Sequence, residues 1–136
     1  ILDDGDVVFS WSGSLMIDVW CGGKGALNQH LFKVTSQTYP KWFYYYWTNY
    51  HLLDFQGIAA GKATTMGHIQ RHHLSSALTV VPSPECLERA DRVIHPLIDA
   101  MIKNRVQSRT LSVIRDALLP KLLSGEIWVK PLESKL

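Results

Sequence analysis

A chain of 136 residues with 46% hydrophobic and 19% charged residues has an ordinary globular composition, which excludes a disordered chain, a collagen-like repeat and a small disulfide scaffold. Two cysteines, Cys21 and Cys86, are too few for a secreted framework and read as buried, reduced thiols of a cytoplasmic protein, and no apolar run approaches the roughly 20 residues that span a bilayer. The net charge of +2 is too small to announce a nucleic-acid binder, although residues 83–136 carry all of it and residues 1–82 balance to zero while holding five of the six histidines.

The first third reads as strands punctuated by glycine. Asp3-Asp4-Gly5-Asp6 is a turn signal ahead of the β-branched and aromatic run Val7-Val8-Phe9-Ser10-Trp11. Leu15, Ile17 and Val19 alternate with Met16, Asp18 and Trp20, the period of a half-buried strand. Gly22-Gly23-Lys24-Gly25 is a loop, and residues 30–34 read as a third strand. Pro40 opens a helix over residues 42–55, where Phe43, Tyr46, Trp47 and Tyr50 fall at helical spacing; consecutive aromatics on a helix point apart, so the run reads as core and not as a stacking platform. Residues 57–67 read as a glycine-bounded loop, and Ala77-Leu78-Thr79-Val80-Val81 as a fourth strand stopped by Pro82.

The remainder is helical. Ser83 caps and Pro84 takes the first turn, while Pro96 is expected to kink or divide the helix. From residue 96 to about 119 nothing else interrupts a rod roughly 36 Å long. Ile94, Leu97, Met101, Leu111, Leu118 and Leu122 share one heptad frame, with Asn104, Ser108 and Arg115 at its polar positions, a seam that asks for a partner helix. The expected class is α+β: a small mixed β unit with a short aromatic-rich helix, followed by a long C-terminal helix forming a coiled-coil-like seam.

The run Arg115-Asp116-Ala117-Leu118-Leu119-Pro120-Lys121-Leu122-Leu123-Ser124-Gly125-Glu126-Ile127 resembles the end of a helical region of type I restriction enzyme specificity subunits. Three further stretches agree, in order: Gly5-Asp6-Val7-Val8-Phe9-Ser10 with Gly13-Ser14, Ala26-Leu27-Asn28-Gln29-His30-Leu31-Phe32-Lys33-Val34, and Thr64-Thr65-Met66-Gly67-His68-Ile69 followed by Val80-Val81-Pro82. The resemblance implies a non-catalytic subunit that reads DNA sequence for a complex whose other subunits methylate and cleave. Its partners would be double-stranded DNA and the methyltransferase subunit, with a homodimer through the helix as the way one recognition unit imitates the family's usual two. It implies residues 1–83 as a partial DNA target recognition domain, 84–127 as a helical spacer and assembly region, and 128–136 as a tail. The pattern differs in its single recognition unit, its opening inside the family's recognition domain, Cys86 where the family usually has glutamine, and Pro96. These differences keep open a truncated assembly module, whose helix binds a methyltransferase without DNA specificity of its own.

Base edges are read by Asn, Gln, Arg and Lys, while phosphates take a larger polar set. The loop candidates for DNA contact are Ser10, Trp11, Ser12, Ser14, Lys24, Asn28, Gln29, Lys62, Thr64 and Thr65; the helix-assembly candidates are the six apolar seam residues. No cofactor is expected, because neither a phosphate-cradling loop nor a dinucleotide glycine fingerprint occurs. His68, His72 and His73 lack a further zinc ligand placed by sequence.

Overall fold

The computed structural model describes residues 1–61 and 67–129. Three strands, β1 (Val7–Ser10), β2 (Met16–Val19) and β3 (Leu31–Val34), form a sheet in the order β2-β1-β3. The sheet was expected to be mixed and is antiparallel throughout. Short connections explain this, since a parallel neighbour would need a crossover of a dozen or more residues. Alternation shows on β2, where Ile17 and Val19 are buried, Met16 is exposed and Asp18 half-buried, while the central strand β1 is buried throughout, with Val7 and Phe9 in the core cluster. Phe9 lies opposite both Ile17 and Phe32.

Helices α1 (Lys41–Tyr50) and α2 (Leu52–Ala60) follow, where the aromatic spacing predicted one helix. His51 separates them, and its backbone N–H still reaches the Trp47 carbonyl. Pro40 sits one position earlier than expected, as the N-cap in an extended conformation. The expected loop from residue 57 begins instead at Gly61. Gly57 lies inside α2, where Phe55 and Ala59 dock on the core and their burial outweighs the roughly 1 kcal/mol that a helical glycine costs. Two clusters form the interior. Val7, Phe9, Leu15, Ile17, Val19, Phe55, Ala59 and Ile69 make the larger one, and Trp42 and Phe43 of α1 pack on Ile98 in the smaller.

Helix α3 (Arg71–Ser76) leads into residues 77–81, which form no strand. Leu78 and Val80 are 83% and 74% exposed; β-propensity without a sheet edge to pair with does not make a strand. The final helix, α4 (Pro84–Leu123), is a single element of 40 residues. Ser83 Oγ accepts the N–H of Cys86 as its cap, and Cys86 is exposed instead of buried. Pro96 does not divide the helix. It lies on the solvent side, so the Arg92 carbonyl left without an amide partner faces water. No helix among the described residues is long and apolar enough to cross a membrane.

Candidate nucleic-acid interface

Antiparallel pairing brings three loops to one end of the sheet: the exit from β1, the entry to β2 and the entry to β3. Trp11, leaving β1, is the hub. Its backbone N–H donates to the His30 carbonyl (3.2 Å), its indole Nε1 donates to the Gln29 carbonyl (3.2 Å), and its own carbonyl accepts from Ile69 (3.2 Å). The indole stacks on Phe32 with ring centroids 6.0 Å apart and meets His68 edge-on at 6.2 Å. A shallow groove of about 320 Å³ runs along this hub, lined by Trp11, Phe32, His68, Ile69, Gln70, Arg71 and Leu74.

Around the hub the polar side chains hold one another. Ser12 Oγ lies 2.7 Å from His30 Nδ1, and the Gln29 amide nitrogen lies 3.2 Å from His30 Nε2. Asn28 Oδ1 accepts the His30 backbone N–H at 2.8 Å. Ser12 bridges to His68, and Gly13 N–H donates to the Gly67 carbonyl at 3.1 Å. Gly67 is required by close approach: a Cβ there would lie 2.5 Å from the Ala59 carbonyl oxygen.

Six of the sequence candidates therefore meet at this end, in three accessibility classes. Ser14, Asn28 and Gln29 are exposed, Trp11 and Ser12 are half-buried, and Ser10 is 8% exposed. The Ser10 hydroxyl donates to the Ser12 carbonyl at 3.2 Å, a role in shaping the turn. Lys24 is not with them; it lies in the loop at the opposite end of the sheet. Lys62, Thr64 and Thr65 fall outside the described residues. His30 and Arg71 join the cluster without having been counted among the DNA-contact candidates, and His68, weighed from sequence as a metal ligand or a DNA-proximal histidine, lies against Trp11. His73, considered as a metal ligand, accepts the Gln70 N–H through Nδ1 at 2.9 Å as part of the α3 cap.

The opposite end of the sheet carries three ion pairs. Asp18 on β2 receives both guanidinium nitrogens of Arg105 at 2.7 Å. Asp4 receives Arg109 at 2.7 and 3.0 Å, and Asp6 meets Lys33 at 2.7 Å. The Arg109 guanidinium beside Asp4, helped by the Gly23 N–H, holds that carboxyl below its ordinary pKa, and Arg105 does the same for Asp18. Burial alone would raise Asp6, but hydrogen bonds from Lys33 and the backbone carry it below the ordinary value.

The predicted seam divides along α4. Ile94 and Met101 pack against Trp42, Phe43 and Ile98. Leu97, Leu111, Leu118 and Leu122 are 64%, 59%, 42% and 40% exposed, and residues 110–129 have no buried position.

A relative among curated proteins, the specificity subunit of the type I restriction enzyme MjaIX from Methanocaldococcus jannaschii, is 28% identical over 103 residues. The match covers 76% of this chain and 24% of that protein, so the chain spans about a quarter of the relative's length. The resemblance drawn from the sequence motifs is thus met by a distant, extended similarity. No family model matches the chain, and no solved structure does.

Proposed function

We propose that this chain is a non-catalytic, sequence-specific DNA-binding unit of a type I restriction-modification system. Residues 1–83 would read DNA, 84–127 would serve as spacer and assembly helix, and 128–136 form a tail. The observation that carries the reading is the clustering of Asn28, Gln29, Ser12 and Arg71 around Trp11, with Ser14 exposed on the neighbouring loop at the same end of the sheet. Loop side chains held on a rigid scaffold are where base readers sit. Carboxamides pair with adenine, arginine pairs with guanine, and hydroxyls and backbone N–H groups take phosphates. The similarity to the MjaIX specificity subunit supports the same class, with double-stranded DNA and a methyltransferase subunit as partners.

A second reading has its own support. The exposed Leu111, Leu118 and Leu122 on α4 fit an assembly module that binds a methyltransferase subunit, or a second copy of the chain, without reading bases. Selection from a randomised duplex pool at fixed, near-physiological salt separates the two, since phosphate contacts alone enrich no sequence. An enriched motif is the expected result, and a palindrome would place two units on one site. A pool that stays random favours the assembly module.

A further inference from the structure

Helix α4 is fastened to the rest of the chain in two different ways. The first is apolar. Trp42 and Phe43 cover Ile98, which is 3% exposed, with Leu87, Ala90, Ile94 and Met101 around them, and Trp42 Nε1 donates to Asp91 at 2.7 Å. This packing, which continues through Met101 and Ile102 onto the cluster under the sheet, fixes where the helix lies and its approximate crossing angle, and leaves the part beyond Ile102 to be held by other contacts. The second fastening is directional. Arg105 and Arg109 stand four residues apart, on one helix face, and each presents a planar fork to a carboxylate.

The two carboxylates belong to different parts of the fold, and each is itself held. Asp18 is on β2, and its Oδ1 also accepts the Val19 N–H at 2.8 Å. Asp4 lies in the turn before β1, and its Oδ1 also accepts the Gly23 N–H at 2.7 Å. Gly23 adopts φ +82, a left-handed conformation that suits glycine and aims this amide at Asp4. Arg109 additionally donates to the Cys21 carbonyl. Two forks on separate anchors fix both the tilt of the helix and its rotation about its own axis. Past Arg109 the helix meets nothing else in the described fold.

We infer that Arg105 and Arg109 are positioning residues that set the angle of the free end of α4 against the sheet. From Ile98 to Leu123 the helix is a lever of about 37 Å, so an error of about 10° at Ile98 moves its far end by about 6 Å. A displacement of that size is close to two base-pair steps at 3.4 Å each. In an assembly built through α4 the two arginines would therefore fix the separation and orientation of half-sites. That consequence rests on the DNA-reading proposal; the angle itself does not. Ion pairs as exposed as these contribute little to stability, so the signature is a change in orientation at nearly unchanged stability.

The direct test is a distance distribution between spin labels at Thr38→Cys and Ser124→Cys in the full chain carrying Cys21→Ser and Cys86→Ser. Labelled chains are diluted with unlabelled ones so that only distances within a chain are read. The expected result is one narrow peak that broadens at least twofold in Arg105→Gln/Arg109→Gln, with the far-ultraviolet dichroism and tryptophan emission of the parent retained. Arg105→Lys/Arg109→Lys, which keeps the charges and loses the forks, should fall between. If the double glutamine variant does not fold, Arg109→Gln alone and the parent in molar salt carry the test, each with a broadened peak expected. A folded protein whose peak keeps its width under these changes overturns the inference. DNA is absent throughout, so failure to select a DNA motif and failure of this positioning role are separate results.

Discussion

At the end of the sheet where β1 runs into Trp11, three loops are tied together without a carboxylate, by an indole, two imidazoles, hydroxyls and carboxamides, with Arg71 beside them and Ser14, Asn28 and Gln29 left exposed. At the other end Asp4, Asp6 and Asp18 are met by Arg109, Lys33 and Arg105. The charged end is the one a search for basic patches would choose for DNA. In the folded chain those cations face carboxylates, so charge there attaches the helix to the sheet. The Trp11 end keeps polar groups in solvent, on loops that rest on an aromatic hub. The balance of zero over residues 1–82 agrees with this division, because specificity at base edges needs hydrogen-bonding groups more than net charge.

The largest expected effect strikes both ends together. Phe9 is 2% exposed and meets Phe55 edge-on at 6.1 Å, so Phe9→Ala should lower stability by about 3–5 kcal/mol in urea unfolding. Gly67→Ala acts from the Trp11 end only. Its Cβ collides with the Ala59 carbonyl, and the expected loss is about 1–3 kcal/mol, with amide exchange rising first around Trp11 and Ile69. At the charged end, Trp20→Phe removes the indole donor to the Gly23 carbonyl at 2.6 Å and should cost about 1 kcal/mol.

Acid acts on the charged end without mutation. Asp4 and Asp18 titrate below the ordinary 3.8 in the folded state, so their pairs contribute fully above that pH. The contribution is lost as pH falls through the lower folded values. Hydrogen exchange followed downward from pH 5 should show the amides around Asp4 and Asp18 losing protection as the Asp4–Arg109 and Asp18–Arg105 pairs are lost. The smallest effect belongs to the bare part of α4. Leu118→Ala should change the unfolding free energy by less than about 0.5 kcal/mol, while lowering any self-association seen in sedimentation.

Much of this arrangement can be read in the sequence, where local chemistry decides the outcome. Leu15, Ile17 and Val19 announce their face by alternation, and Ser83 with Pro84 announces the start of α4. Readings failed where a tertiary neighbour decides. Residues 77–81 have strand composition but no edge to pair with. Gly57 looks like a loop boundary, yet Phe55 and Ala59 draw it into a helix. The heptad frame joins Ile94 and Met101 to Leu111, Leu118 and Leu122 as one seam, although the first two are covered by α1. The forks of Arg105 and Arg109 link positions 87 and 105 residues apart, a pairing that no local pattern encodes. Of the candidate site, the loop residues Trp11, Asn28 and Gln29 stand out in the sequence, but the approach of His30 and Arg71 to Trp11 does not, since it depends on the pairing of residues 67–69 with Trp11–Gly13 and on the hydrogen bond from Trp11 to His30.

The central claim is that the Trp11 end of the sheet reads bases, and one comparison tests it most directly. Affinity for the selected duplex and for a scrambled one is measured at one salt concentration for the parent, Ser14→Ala/Gln29→Ala and Lys24→Ala. The account predicts that the double variant loses about tenfold or more of the parent's discrimination, while Lys24→Ala leaves the ratio unchanged. Discrimination that survives the double variant and is lost with Lys24 would place the reading surface at the other end and contradict the account.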